Sequence, residues 1–185
     1  MASKKRTSIQ SENKRFIGVF MKPFISGSKI QLERYLEAQR IMKSNDMIGS
    51  YADRCLFELS SLFEHLATLQ TYLKRVGIEL RIGSAITDFR NHIRHDARGE
   101  LDARSEKRAE RLGIDEKLQT QIAFTDNGVK VGSTILNASE LNHFIEMADI
   151  VAQALFLGGK IEINGDEIKV YQSGLEIITK STKES

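Results

Sequence analysis

The side chains best suited to chemistry are concentrated in one short segment, Asp88-Phe89-Arg90-Asn91-His92-Ile93-Arg94-His95-Asp96, which holds two of the four histidines. Because successive residues of an α-helix advance by about 100°, Asn91 and His95 share one face, and Arg94 lies between Arg90 and His95. Arginine is always charged and can fork onto phosphate oxygens, whereas histidine can donate or accept a proton near neutral pH. This combination suits phosphodiester cleavage, and it requires no metal ion if a neighbouring ribose 2′-hydroxyl is the nucleophile.

The same residues also have a structural interpretation. Arg90 can pair with Asp88 or Asp96 on its own helix, in which case Arg90 and His95 would be ordinary polar residues. The sequence leaves both interpretations open.

Two amphipathic helices are expected to position this segment. Apolar residues recur at alternating spacings of four and three from Ile48 to Val76, which is typical of a long helix with a bundle-type seam. Cys55 falls on that seam and is predicted to be a small core residue and not a reactive thiol. Ser84 can cap the next helix, which turns its own apolar residues inward at helical spacing up to Leu101.

The residues before these helices predict a tail and two separate helices. Residues 1–12 are polar and rich in Ser and Lys, as expected for a flexible basic tail. A short helix over 15–22 should end at Pro23, because the residue before a proline is pushed out of the α region. Ser28 and Gln31 then form a capping box for a helix that runs to about Lys43.

The pattern changes after residue 111. Asp126-Asn127-Gly128 predicts one hairpin and Asn164-Gly165 predicts another, with a further strand at 175–179. Between the hairpins, a helix should begin at Asn137 and end at Gly158-Gly159. We therefore predict a mainly α protein, with a helical bundle over 13–111 and a small α+β appendage over 112–185 that contains two β-hairpins around one helix and packs on the bundle.

Composition narrows the class of function. Residues 1–15 carry a net charge of +4 and the remainder −2, so the body does not have the basic surface of a bulk phosphate binder. A lone Cys55 cannot form an internal disulfide, and no apolar run approaches the roughly 18 residues that a membrane span requires. A cytoplasmic location without membrane association is expected.

The motif Arg90-Asn91-x-x-x-His95 resembles the R-N-x-x-x-H signature of HEPN domains, a helical-bundle family with many metal-independent endoribonucleases. The resemblance covers roughly residues 28–111. It implies that Arg90 holds the scissile phosphate, that His95 acts as general acid or base, and that Asn91 orients the phosphate or the imidazole.

The resemblance also implies partners. HEPN nucleases usually assemble their site across a homodimer, in which Arg94, His92 and Arg98 would line an RNA-binding or phosphate-binding groove. It implies neither a metal nor another cofactor. A role in defence or as a toxin, with an antitoxin or another protein partner, would fit the family.

Two alternatives stay open beside the nuclease. Some HEPN-like domains serve as non-catalytic dimers that bind a protein, a nucleotide or RNA. Alternatively, His92, His95 and Asp96 stand at i, i+3 and i+4, and with His65 they mimic the pattern of HD-type metal-dependent phosphohydrolases. Against this second alternative, the His-Asp pair of that family usually follows small and apolar residues, whereas the residues around His95 are strongly polar.

Overall fold

A computed structural model describes residues 3–44, 48–80, 82–94, 103–114, 122–125, 127–164, 167–172 and 175–181 of the chain. The described helices are α1 (Ser3–Ser44), α2 (Ile48–Arg75), α3 (Gly83–Arg94), α4 (Ala103–Leu112) and α5 (Ala138–Leu157). The described strands are β1 (Ile122–Thr125), β2 (Gly128–Val131), β3 (Thr134–Asn137), β4 (Lys160–Asn164), β5 (Glu167–Gln172) and β6 (Leu175–Ser181). The predicted mainly α architecture, with β-hairpins towards the C-terminus, is confirmed. None of the described helices is both long and apolar enough to cross a membrane.

The predicted seam of α2 forms the centre of the hydrophobic core. Its side chains are fully buried at Cys55, Leu59, Leu62, Leu66, Leu69 and Leu73. Each fully buried leucine stabilises the fold by about 1.5–3 kcal/mol relative to an exposed one. Burial also raises the pKa of the Cys55 thiol, which agrees with its predicted role as a core residue.

Helix α1 is continuous, so the prediction of two helices separated at Pro23 was wrong. Pro23 lies inside α1, and Ser28, the predicted cap, is buried within the helix. A proline lacks the N–H that would bond to the carbonyl four residues earlier, here that of Val19. Both residues lie on the exposed side of α1, where water can satisfy that carbonyl, and packing against α2 and α5 holds the rest of the helix.

Helix α5 packs along α1 and is capped as its sequence predicts. At its start, the Glu140 carboxylate accepts a hydrogen bond from the Asn137 N–H at 2.9 Å. At its end, Gly158 adopts the left-handed conformation, with φ of 71°. Lys22 and Lys29 of α1 both donate to the Asp149 carboxylate, at 2.7 and 3.1 Å.

The strands form two three-stranded antiparallel sheets, ordered β1-β2-β3 and β4-β5-β6. Both predicted hairpins and the strand expected at 175–179 are present, whereas β3 was not predicted. Two side chains of α1 bind the first hairpin. The Tyr35 hydroxyl donates to the Gly128 carbonyl at 2.7 Å, and the Gln39 amide donates to the Thr125 carbonyl at 2.5 Å.

Two predictions about domain organisation stay predictions. One is the flexible basic tail over 1–12, of which residues 3–12 belong to α1, and the other is the boundary between bundle and appendage near residue 112. Helix α5, on the far side of that boundary, contributes buried residues such as Phe144 and Val151 to the same core cluster as α1 and α2.

Candidate functional site

Helix α3 carries the described part of the candidate site and runs antiparallel to α2. Gly83, at its start, packs directly on the side chain of Gln70, where a Cβ would come within 2.2 Å of the amide. Immediately before Arg90, the ring of Phe89 stacks on that of Phe63, with centroids 5.4 Å apart. Since these contacts bury the apolar side of α3, Arg90 and Asn91 are left at the border of the core and Arg94 is exposed.

Arg90 is held from two sides. Its Nε donates to Oε2 of Glu64, on α2, at 3.2 Å, and its Nη1 donates to the Oδ1 of Asn91 at 2.9 Å. No described residue accepts a hydrogen bond from its remaining nitrogen, Nη2. The guanidinium plane is therefore fixed by a carboxylate and an amide before any ligand binds.

Arg94 lies one turn further along α3 and faces the same carboxylate. Its Nη1 is 3.6 Å from Oε1 of Glu64, an ion pair slightly too long for a hydrogen bond. We call Arg90 and Arg94 the arginine clamp. With Glu64 between them, the three side chains carry a net charge of +1, so the clamp remains attractive to an anion.

Asp88, one possible partner of Arg90 according to the sequence, pairs elsewhere. Its carboxylate accepts hydrogen bonds from Nε and Nη2 of Arg111, on α4, at 2.8 and 2.5 Å. The other possible partner, Asp96, lies outside the described residues. The partner that the structure assigns to Arg90 is Glu64, 26 positions earlier in the chain.

The remaining predicted site residues are distributed differently. His92 is 1% exposed, on the buried side of α3, and so does not line an open groove. His95 and Arg98 lie outside the described residues. The structure thus brings together Arg90, Asn91 and Arg94, and it leaves the position of the proposed acid–base histidine as a prediction.

The residues of the HD-type alternative do not gather in the described part of the chain. The His65 ring packs edge-on against Phe24 of α1, with centroids 5.9 Å apart, and a Cβ on Gly27 would come within 2.6 Å of it. His65 therefore faces α1, whereas Glu64 beside it faces α3. Among the described residues, no group of three His, Cys, Asp or Glu side chains could hold a metal ion.

Glu64 is the site residue that the sequence analysis missed. It lies between the seam positions Leu62 and Leu66, where an acidic side chain is expected to be an ordinary residue at the edge of the apolar face of the helix. Its role depends on the pairing of α2 with α3, which no local pattern specifies. The sequence does contain one signal for this role, since Glu64 is an acidic residue on the edge of α2 and the next helix, α3, is rich in arginine.

A large apolar side chain is exposed on the same face of α2 as Glu64. Phe57 precedes Glu64 by seven residues, which is two helical turns, and 67% of it is exposed. Aromatic residues are enriched at protein interfaces, so an exposed ring beside the site is a suitable anchor for a contact between protomers.

Comparison with known proteins adds no relative. No protein family's sequence profile, no curated protein and no solved structure matches the chain.

Proposed function

We propose that this protein is a metal-independent endoribonuclease of HEPN type, which cleaves RNA through an Arg/His site at a homodimer interface. The observation that carries the proposal is the arginine clamp, in which Arg90 and Arg94 flank a single oxyanion on an accessible surface. Planar guanidinium groups recognise phosphate in the same way as carboxylate. The motif Arg90-Asn91-x-x-x-His95 supports the assignment to the HEPN type.

In the proposed reaction, Arg90 holds the scissile phosphate and stabilises the charge of the transition state. The ribose 2′-hydroxyl attacks phosphorus, so that a 2′-O–P bond forms and the P–O bond to the 5′-oxygen of the next nucleotide breaks. His95 of one protomer accepts the hydroxyl proton, and its symmetry mate protonates the leaving oxygen. The products are a 2′,3′-cyclic phosphate and a 5′-hydroxyl. Asn91 orients Arg90, as its hydrogen bond to Nη1 suggests.

The homodimer is proposed because one protomer supplies little positive charge. Pairing two clamps across a two-fold axis doubles the net charge of +1 and provides two histidines. The exposed ring of Phe57, on the same face of α2 as Glu64, would lie within the interface.

Sedimentation can test this interface. Phe57→Ser should weaken self-association at least about fivefold, because truncating an aromatic anchor costs an interface more than about 1 kcal/mol. Phe16→Ser is the matched control, since Phe16 is 60% exposed on α1. Equal association constants for the two variants would contradict a dimer through the α2–α3 face.

Cleavage of RNA in excess chelator tests the reaction. Arg90→Ala and His95→Ala should each reduce the rate at least about 100-fold, the usual scale for loss of a charge-stabilising group or an acid–base group. Arg40→Ala is the control, because Arg40 is an exposed arginine that pairs with Glu37 on α1. Full activity of both site variants would refute the proposal.

A second candidate, a non-catalytic HEPN-like dimer, is favoured by one observation. Arg90 and Arg94 already share Glu64 as counter-ion, and the side-chain oxygen of Asn91 is bonded to Arg90. Such a module would bind RNA, a nucleotide or a protein without turnover. Saturable RNA binding by the wild type, with no cleavage of any RNA, would favour it over the nuclease.

The cellular location and the biological role are part of the same proposal. A cytoplasmic location agrees with a buried free thiol at Cys55 and with an RNA substrate. Use as a toxin or in defence, held in check by an antitoxin or another protein, follows from the HEPN resemblance alone. Growth arrest on expression, relieved in Arg90→Ala, would support that use.

A further inference from the structure

Glu64 occupies the place between the two arginines that the proposed function gives to a phosphate. Its Oε2 lies 3.2 Å from Nε of Arg90 and its Oε1 lies 3.6 Å from Nη1 of Arg94, so each carboxylate oxygen faces one guanidinium. Two non-bridging oxygens of a phosphodiester present the same charge and a similar spacing. We infer that Glu64 is an internal competitor for the phosphate position of the clamp, and that an RNA phosphate displaces its carboxylate in order to contact both arginines. This inference rests on the proposed function of the same site.

The exposure of Glu64 and Arg94 makes this displacement feasible. The side chain of Glu64 is 41% exposed and that of Arg94 is 53% exposed. Ion pairs at such positions contribute little to stability, because water solvates the separated charges almost as well. When the carboxylate of Glu64 leaves the clamp, it moves into solvent and not into the core.

The neighbouring pair of Asp88 and Arg111 shows the opposite arrangement. The Asp88 side chain is 10% exposed and accepts two hydrogen bonds from one guanidinium. Release of that carboxylate would leave a buried charge without a partner, which is costly. Of the two carboxylates paired with arginines at α3, Glu64 is therefore the exchangeable one.

The effect of Glu64 on phosphate binding follows from its negative charge. A phosphodiester carries one negative charge, as Glu64 does, so the exchange leaves the net charge of +1 in the clamp unchanged. Binding of a single phosphate is therefore weak, since little is gained by replacing one anion with another. A chain of phosphates with contacts beyond the clamp can displace Glu64, whereas free phosphate does so poorly.

Binding measurements on the full-length chain can test the competition without relying on cleavage. The probes are inorganic phosphate and a fully 2′-O-methylated oligoribonucleotide, which lacks the nucleophile. Glu64→Gln keeps the shape of the side chain and removes its charge, so both probes should bind at least about threefold more tightly at fixed ionic strength. Calorimetric titration gives the dissociation constants.

A matched control separates competition from a change in net charge. Glu37→Gln also removes one negative charge from an exposed Glu–Arg pair, because Glu37 accepts a hydrogen bond from Arg40 at 2.9 Å on α1. It should leave both dissociation constants unchanged. In an Arg94→Gln background the gain from Glu64→Gln should shrink, because one side of the clamp is missing.

The outcomes distinguish this inference from the proposed function. Tighter phosphate binding by Glu64→Gln, in a protein that cleaves no RNA, supports the competitor and refutes the nuclease. Cleavage of RNA combined with no gain over Glu37→Gln refutes the competitor and leaves the nuclease standing. Failure of the methylated oligoribonucleotide to bind either the wild type or Glu64→Gln also overturns the inference. Glu64→Ser, which removes the carboxylate by truncation, should reproduce the gain if the amide of the first variant perturbs the fold.

Discussion

Arg111 in α4 donates two hydrogen bonds to the carboxylate of Asp88 in α3, at 2.8 and 2.5 Å, across 23 residues of sequence. The pair connects two helices that share few contacts among the described residues. Arg90, two positions further along α3, lies on a different side of the helix and pairs with Glu64 on α2. Helix α3 is therefore held to α4 by Asp88 and to α2 by Arg90.

The two ends of this pair should respond unequally to mutation. The Arg111 side chain is 57% exposed and can be hydrated alone, whereas the Asp88 side chain is 10% exposed. Arg111→Ala leaves a buried carboxylate without its partner and should lower the free energy of unfolding by about 1–3 kcal/mol. Asp88→Asn leaves an amide that still accepts from Arg111, and it should cost about 0.5–1.5 kcal/mol. Urea denaturation at pH 7 measures both.

The control for this asymmetry is an arginine in an exposed pair. Arg40→Ala removes an ion pair with Glu37 on the surface of α1 and should leave the midpoint of urea unfolding nearly unchanged. A larger loss for Asp88→Asn than for Arg111→Ala would show that Asp88, and not the pairing, determines the energy.

Where local chemistry determines an element, the sequence predicted it. Helix α5 begins with the exchange between Asn137 and Glu140 and ends at Gly158, and both signals act within one helical turn. The Asp126-Asn127-Gly128 signal likewise marks the first hairpin, in which β1 and β2 pair up to Thr125 and Gly128. The seam of α2 was predicted because the buried residues of a single helix recur with the helical period, which is visible in the sequence.

Where tertiary packing determines an element, the sequence failed to predict it. Pro23 is a strong local stop signal, yet packing of α1 on α2 and α5 carries the helix through it. β3 was missed because four residues, Thr134–Asn137, show no clear alternation and become a strand by pairing with β2. The motif at Arg90 was visible in the sequence, but its partner Glu64 was not, since only the packing of α2 on α3 brings the two together.

Close approach of α1 and α5 at Gly18 yields a second prediction. A Cβ at Gly18 would lie 2.6 Å from the Ala152 carbonyl oxygen and 3.1 Å from the Phe156 nitrogen, both backbone atoms that cannot move aside alone. Gly18→Ala should therefore destabilise the protein by about 1–3 kcal/mol, despite the higher helix propensity of alanine. Thermal unfolding measures the effect.

Ser26→Ala, at an exposed position of α1, is the control and should unfold at or slightly above the wild-type temperature. A higher melting temperature for Gly18→Ala would rule out tight packing of these helices.

The hydroxyl of Tyr35 provides a third prediction. It donates to the Gly128 carbonyl at 2.7 Å and accepts from the Gln39 amide at 3.1 Å, and burial raises the pKa of Tyr35 well above its ordinary value. Tyr35→Phe keeps the ring and should cost about 1 kcal/mol. Amide hydrogen exchange should accelerate in β1 and β2, because the hairpin loses one of its attachments to α1. Tyr72→Phe, whose hydroxyl has no hydrogen-bond partner among the described residues, should change neither quantity. Uniform acceleration throughout the chain would contradict a local role for Tyr35.

The contact of Lys22 and Lys29 with Asp149 should make the packing of α1 on α5 depend on pH. Partial burial opposes ionisation of Asp149, but hydrogen bonds from Lys22, Lys29 and Gln153 together outweigh it and lower the pKa of Asp149 below its ordinary 3.8. A carboxyl whose pKa is lower in the folded protein stabilises the fold above its unfolded pKa. That contribution is lost as the pH falls through the folded pKa.

Asp149→Asn should therefore cost about 1 kcal/mol at pH 7 and at pH 5, since both lysines are half-exposed and their pairing is screened. At pH 3 and below the difference from the wild type should narrow.

Urea unfolding at pH 7, 5 and 3 measures this difference directly. The variant Lys22→Met/Lys29→Met removes both donors and should lose the same acid dependence, although its carboxylate at Asp149 is retained. If the deficit of Asp149→Asn stayed constant down to pH 2, the contribution of Asp149 would come from its packing against α1 and not from its charge. In that case the two lysines would be surface residues whose proximity to Asp149 adds nothing to the association of α1 with α5.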